Sequence, residues 1–210
     1  MKRYFNVRGS CALPGQPKQE DYLSALERNG FIQKMMLPEV FEARFGCPRI
    51  FYHYRGRKRR YTADLLVLFV DAVRRPLVVE FKPKQKFESD FELREKLNHL
   101  KGEFDRLGQD FVVETEDDVY TAELAEKRFV FRYHNESPSA FDDEITALVR
   151  RFGALPIEKI IGHFYTSRSD QLVLLPSVWR LVAHKELFVD FRRKLDSSTV
   201  ILAQPFILSR

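Results

Sequence analysis

Between Tyr61 and Lys86 the chain reads YTADLLVLFVDAVRRPLVVEFKPKQK, and this stretch restricts the fold more than any other. Two apolar runs, Leu65–Val70 and Leu77–Phe81, flank the polar Asp71–Pro76. That is the pattern of two strands joined by a turn. Three charges stand where such strands should carry none: Asp64 before the first, Glu80 and Lys82 at the end of the second. Strand side chains alternate between faces, so Glu80 and Lys82 point the same way. A hairpin folded about residues 73–74 sets Asp64 opposite Lys82–Pro83, and all three charges then meet at one end.

Two carboxylates in such a place can hold a hard cation, Mg²⁺ or Mn²⁺, through oxygen ligands. The ion would polarise a phosphoryl oxygen. A neighbouring lysine would offset charge building on phosphate. The spacing of Asp64 to the Glu80-Phe81-Lys82 strand end resembles that of PD-(D/E)xK nucleases. The same residues admit a plainer reading, a strand-end salt bridge between Glu80 and Lys82. The metal reading takes Asp64, Glu80, the backbone carbonyl of Phe81 and a helix carboxylate, Glu27, as ligands. Glu27 is otherwise an ordinary helix surface charge. If Lys82 serves catalysis alone, its replacement by Ala should leave stability nearly unchanged.

Charge is unevenly spread. Residues 1–86 carry 18 Lys/Arg against 8 Asp/Glu, residues 87–135 carry 7 against 13, and residues 136–210 carry 10 against 9. The carboxylate cluster therefore lies in a strongly basic segment, which suits a polyanion, most often nucleic acid. Five basic residues, Arg55, Arg57, Lys58, Arg59 and Arg60, surround Gly56. With Lys84 and Lys86 they are candidate contacts to the phosphates of double-stranded DNA. A charged hairpin turn is the alternative for the first five. Cys11 and Cys47 form no zinc pattern. No apolar run reaches membrane-spanning length, and the expected setting is a reducing cytoplasm.

Along the chain, residues 1–19 read as an irregular lead-in and Glu20–Met36 as a helix. Arg49–Tyr54 reads as a strand, and Phe87–Leu107 as one long helix with an apolar face. Asp110–Thr115 is a strand, Asp117–Glu126 a helix, and Arg128–Tyr133 (RFVFRY) a further strand. Helix, three strands, helix, strand is the order of a restriction-endonuclease-like αβββαβ core, an α/β fold, assigned to residues 1–135. After a linker at His134–Ser139, helices over Ala140–Phe152, Pro156–Tyr165 and Leu175–Lys185 are separated by a loop at Thr166–Leu174. A hairpin of Leu187–Phe191 with Val200–Leu202 completes a small winged-helix layout for residues 136–210. Trp179 reads as core by its helical spacing with Val178 and Val182, or as a residue that meets a base.

On these residues the chain resembles TnsA, the endonuclease family of heteromeric bacterial transposases. Ser24-Ala-Leu-Glu27 is followed by Leu37-Pro-Glu-Val40 at the family spacing. Tyr61-Thr-Ala-Asp64-Leu-Leu-Val67 and Glu80-Phe-Lys82-Pro83 match its two site strands. Ala63 stands where that family usually has proline, Arg44–Pro48 replaces an acid-Gln-Pro stretch, and Leu23 takes the place of an earlier glutamate. The resemblance implies cutting of the 5′ strands at transposon ends. Its implied partners are a TnsB-like DDE transposase and a TnsC-like AAA+ regulator. A stand-alone restriction or repair nuclease, or a non-catalytic DNA-binding scaffold, are the other readings of the same core.

Overall fold

A computed structural model describes residues 9–11, 20–22, 24–165 and 168–205, with side chains over 24–165 and 173–205. The chain divides into two compact units, Met1–Leu124 and Ala125–Arg210. The division falls ahead of the 135/136 boundary read from the sequence.

The first unit is α/β. Its elements are β1 (Gly9–Cys11), β2 (Glu20–Tyr22), α1 (Ala25–Met35), β3 (Val40–Phe45), β4 (Arg49–Tyr54), β5 (Arg57–Thr62), β6 (Leu65–Phe69) and β7 (Leu77–Phe81). Then come α2 (Lys84–Ser89), α3 (Phe91–Arg106), β8 (Asp110–Glu114) and α4 (Glu116–Val119). Four strands make a mixed sheet in the order β3-β6-β7-β8, antiparallel except for the parallel pair β7–β8. Such a parallel pair needs a crossover, which α2 and α3 supply.

Side-chain parity along β7 sorts the layers. Val78 belongs to a core with Leu97, Leu100 and Phe104 of α3, together with Tyr52, Tyr61, Ala63 and Phe111. Phe81, of opposite parity, lies against Gly30 of α1, where an added Cβ would meet its ring at 2.2 Å. Helix α1 therefore covers one face of β7 and α3 the other, and β7 is buried along most of its length. Only glycine lets α1 approach this closely.

Several expectations change. Residues 20–22 form a strand paired with β1, so the first helix starts only at Ala25, where Ser24 caps it. The expected helix 87–107 is two, because the Asp90 side chain accepts from the Leu93 N–H at 2.9 Å and starts a new helix. The first strand of the sheet is β3, whose β-bulge between Val40 and Glu42 breaks the simple alternation. The expected strand Arg49–Tyr54 pairs instead with β5 in a separate two-stranded ribbon. Its turn, Arg55–Gly56, has positive φ at both residues, as a two-residue hairpin of this hand requires. Arg57–Arg60 are thus strand residues and not part of the turn.

The second unit holds α5 (Leu124–Phe131) with a 3₁₀ turn (Arg132–Asn135), α6 (Asp142–Phe152), β9 (Ala154–Pro156), α7 (Ile157–Phe164), α8 (Arg168–Ala183) and β10 (Val200–Leu202). RFVFRY is helical, not a strand. The buried Leu124, Lys127, Val130 and His134 recur at three- and four-residue steps, and that period won over the local alternation. Part of the expected loop at 166–174 is also helix, since α8 begins at Arg168. Strand β10 pairs with β9, and Phe188 contributes one bridge to Leu202. Ile145, Ile157, Ile160, Leu174, Leu181, Leu187 and Ile201 form the interior. Trp179 is buried edge-on against Phe129 at 5.2 Å, which favours its core reading. No described helix is long and apolar enough to cross a membrane.

Candidate functional site

The site forms where β6 begins and β7 ends. The register Leu65↔Val79, Leu66↔Val78 carries Asp64 to a place across from Glu80, not from Lys82–Pro83 as a turn centred on 73–74 would give. The convergence survives the shift. The Asp64 carboxylate accepts from the backbone N–H of Phe81 at 2.8 Å and from the Lys82 ammonium at 3.4 Å. The same ammonium lies 2.5 Å from Glu80 Oε1 and donates to the Phe81 carbonyl at 2.9 Å. Three of the oxygens expected to bind a metal therefore converge on one cation, the Lys82 Nζ.

Glu80 is almost fully buried, and the Tyr61 hydroxyl of β5 donates to its second oxygen. A buried carboxylate needs such partners to stay charged. Burial, then the charge of Glu80, lifts the Asp64 carboxyl to about 6; the ammonium of Lys82 and the Phe81 N–H pull the other way. Burial alone would depress the Lys82 ammonium, but Asp64 and Glu80 outweigh it and its pKa is raised. The Tyr61 phenol is pushed up by burial and by Glu80, and keeps its proton. Among the described residues, Lys82 is the cation paired with both carboxylates.

Glu27 sits in the first turn of α1. Its N–H donates to Ser24 Oγ at 3.2 Å, and Ser24 Oγ donates to its carboxylate at 3.1 Å. It raises the Asp64 carboxyl as the weakest of the named influences. Glu27 thus serves the helix cap while its charge reaches the site. Among the described residues, no three His, Cys, Asp or Glu side chains are grouped as a metal would need.

The basic residues divide. Arg55 pairs with Glu92 and Glu95 of α3. Lys84 pairs with Asp117, and its N–H donates to Glu116 at 2.6 Å. Arg57, Lys58, Arg59 and Arg60 are exposed on β5 and form no ion pair among the described residues. Lys86 lies exposed on α2.

Tyr61, Lys34 and Glu114 were not singled out from the sequence. Lys34 of α1 pairs with Glu114, whose carbonyl accepts the Lys82 N–H at 3.0 Å, so α1, β7 and β8 are tied together beside the cluster. The one signal for Tyr61 was its place three residues before Asp64, since its bond to Glu80 crosses from the ribbon to the sheet. No protein-family model matches the chain, and no curated protein matches it in sequence.

Proposed function

We propose that this chain is the metal-dependent DNA endonuclease subunit of a TnsA-like heteromeric transposase, cutting the 5′ strands at transposon ends. The observation that carries the reading is the convergence of Asp64, Glu80 and the Phe81 carbonyl on a single cation. The donors are all oxygens and two are anionic, the set that Mg²⁺ or Mn²⁺ prefers, so the residues fit such an ion. Asp64, Glu80 and the Phe81 carbonyl would hold it, with Glu27 adding negative charge from α1. When bound, the ion supplies Lewis-acid polarisation of the scissile phosphodiester. Lys82, on the strand face of Glu80, offsets the negative charge that grows on phosphate in the transition state. Tyr61 holds Glu80 in place, and Arg57–Arg60 bind the DNA backbone without reading bases.

The order α1, β3, β6, β7, α3, β8 around the sheet supports a restriction-endonuclease-like αβββαβ core, with β4–β5 as an insertion. Helices α6, α7 and α8 with the β9–β10 pair support a winged helix in the C-terminal unit. The near-zero net charge of residues 136–210 favours docking to a TnsB-like transposase or a TnsC-like AAA+ regulator over independent DNA reading. The test is strand-specific cleavage of end-bearing DNA in Mg²⁺ with those partners. Asp64→Ala should abolish the 5′ cut and leave the partner's 3′ cut intact; undiminished 5′ cleavage by this variant would sink the proposal. A stand-alone nuclease would cut without partners, and a scaffold subunit would bind DNA and never cut it.

A further inference from the structure

The ribbon β4–β5 has a face that the carboxylate cluster does not use. Its register pairs Arg49 with Thr62, Phe51 with Arg60, and His53 with Lys58. Directly paired residues of antiparallel strands share a face, so these six lie together, and all six are exposed. The other face carries Tyr52 and Tyr61 into the core beneath α3. The ribbon is therefore anchored on one side and open on the other.

The open face has an unusual make-up. Phe51 stands near its middle, 70% exposed, with the Lys58 ammonium 5.2 Å from the centre of its ring. Arg49 and Arg60 flank it, and no Asp or Glu occurs between Ala43 and Ala63. An aromatic among cations, with no carboxylate on the face, complements a polyanion whose bases offer π surfaces. A protein partner would need an acidic patch as well as an apolar pocket to match it. The strand bearing Arg60 and Thr62 leads directly to Asp64, so this face adjoins the site along the chain.

We propose that the open face of the ribbon lies against DNA and that Phe51 stacks on an unpaired base. Arg49, Lys58 and Arg60 hold the flanking phosphates. The inference rests on the nucleic-acid part of the reading above and not on hydrolysis.

The test is binding by the full chain in EDTA, followed by fluorescence anisotropy. Two DNAs are compared: a fully paired duplex, and the same duplex with a two-nucleotide bubble carrying 2-aminopurine. The parent chain should prefer the bubble and quench the 2-aminopurine. Phe51→Ala should lose at least ~5-fold on the bubble, keep its affinity for the paired duplex, and lose the quenching. Phe51→Trp should restore both. Arg49→Gln and Arg60→Gln should weaken both DNAs alike and lower the salt slope by about one each. Equal losses on both DNAs for Phe51→Ala, no loss on either, or no binding by the parent would overturn the proposal. Because Phe51 is exposed, its variants should melt with the parent by circular dichroism. Failure of the nuclease reading would look different, with intact binding and no cleavage in Mg²⁺.

Discussion

Replacing Asp64 by Asn separates the stability of the site from its chemistry. The folded chain holds the Asp64 carboxyl at about 6 against an ordinary 3.8. Between those values the folded state keeps a proton that the unfolded chain has released. Stability therefore falls as pH rises through that window, and above pH 6 the ionised carboxylate carries its full cost. About two pK units at 1.36 kcal/mol each set a ceiling near ~3 kcal/mol. The Lys82 attraction is already included in that balance. Asn mimics the neutral acid, and its amide oxygen can still accept the Phe81 N–H, so little else is lost. We expect Asp64→Asn to be more stable by roughly 2–3 kcal/mol at pH 8, with the gap shrinking toward zero at pH 4. Urea unfolding in EDTA, repeated from pH 4 to 8, measures this, and 5′-strand cleavage should be absent at every pH. A variant less stable at pH 8, or a gap that does not change with pH, would refute the electrostatic account.

Gly30→Ala should destabilise the first unit by ~1–3 kcal/mol, since its Cβ would lie 2.2 Å from a Phe81 ring carbon; a rise in melting temperature, as helix propensity alone would give, would contradict the close approach. Lys82→Ala leaves two neighbouring carboxylates without their cation, so it should cost ~3–5 kcal/mol at pH 8 and markedly less at pH 5, where Asp64 takes up a proton. That reverses the unchanged stability expected from sequence, and an unshifted denaturation midpoint at pH 8 would restore it. Tyr61→Phe removes the buried donor to Glu80 and should cost ~1–3 kcal/mol by urea unfolding; a neutral effect would mean that Glu80 finds another partner.

The sheet's central pair and its charged end were legible because apolar runs with misplaced charges have few explanations. The exact opposition of Asp64 and Glu80 was not. Pairing between β6 and β7 stops at Val67↔Leu77, while β6 continues to Phe69 against β3. The connection is therefore asymmetric, and a midpoint guess misplaces the register. Strand β3 was hidden by its bulge, and α5 by a local alternation of aromatic and basic residues that tertiary burial overrode. Tyr61 could not be tied to Glu80 from spacing, because their contact joins two separate sheets.

The basic character of the first 86 residues was visible, but not which cations remain available. The acidic stretch that follows, as far as Leu124, belongs to the same unit and folds back on it. Glu92 and Glu95 neutralise Arg55, Asp117 takes Lys84, and Asp105 and Asp110 take Arg75. Segment charge thus overstates the positive surface at the turn and at the start of α2. Helix α3 brings its glutamates to Arg55 at one tip of the ribbon, whereas Arg57–Arg60 run along β5 toward Asp64 without a carboxylate partner among the described residues. Arg57–Arg60 are therefore cations still available to meet a phosphate backbone, and they stand on the strand that leads to the carboxylates. A polyanion drawn to them would be guided along β5 to the end of β7, where Asp64, Glu80 and Lys82 meet.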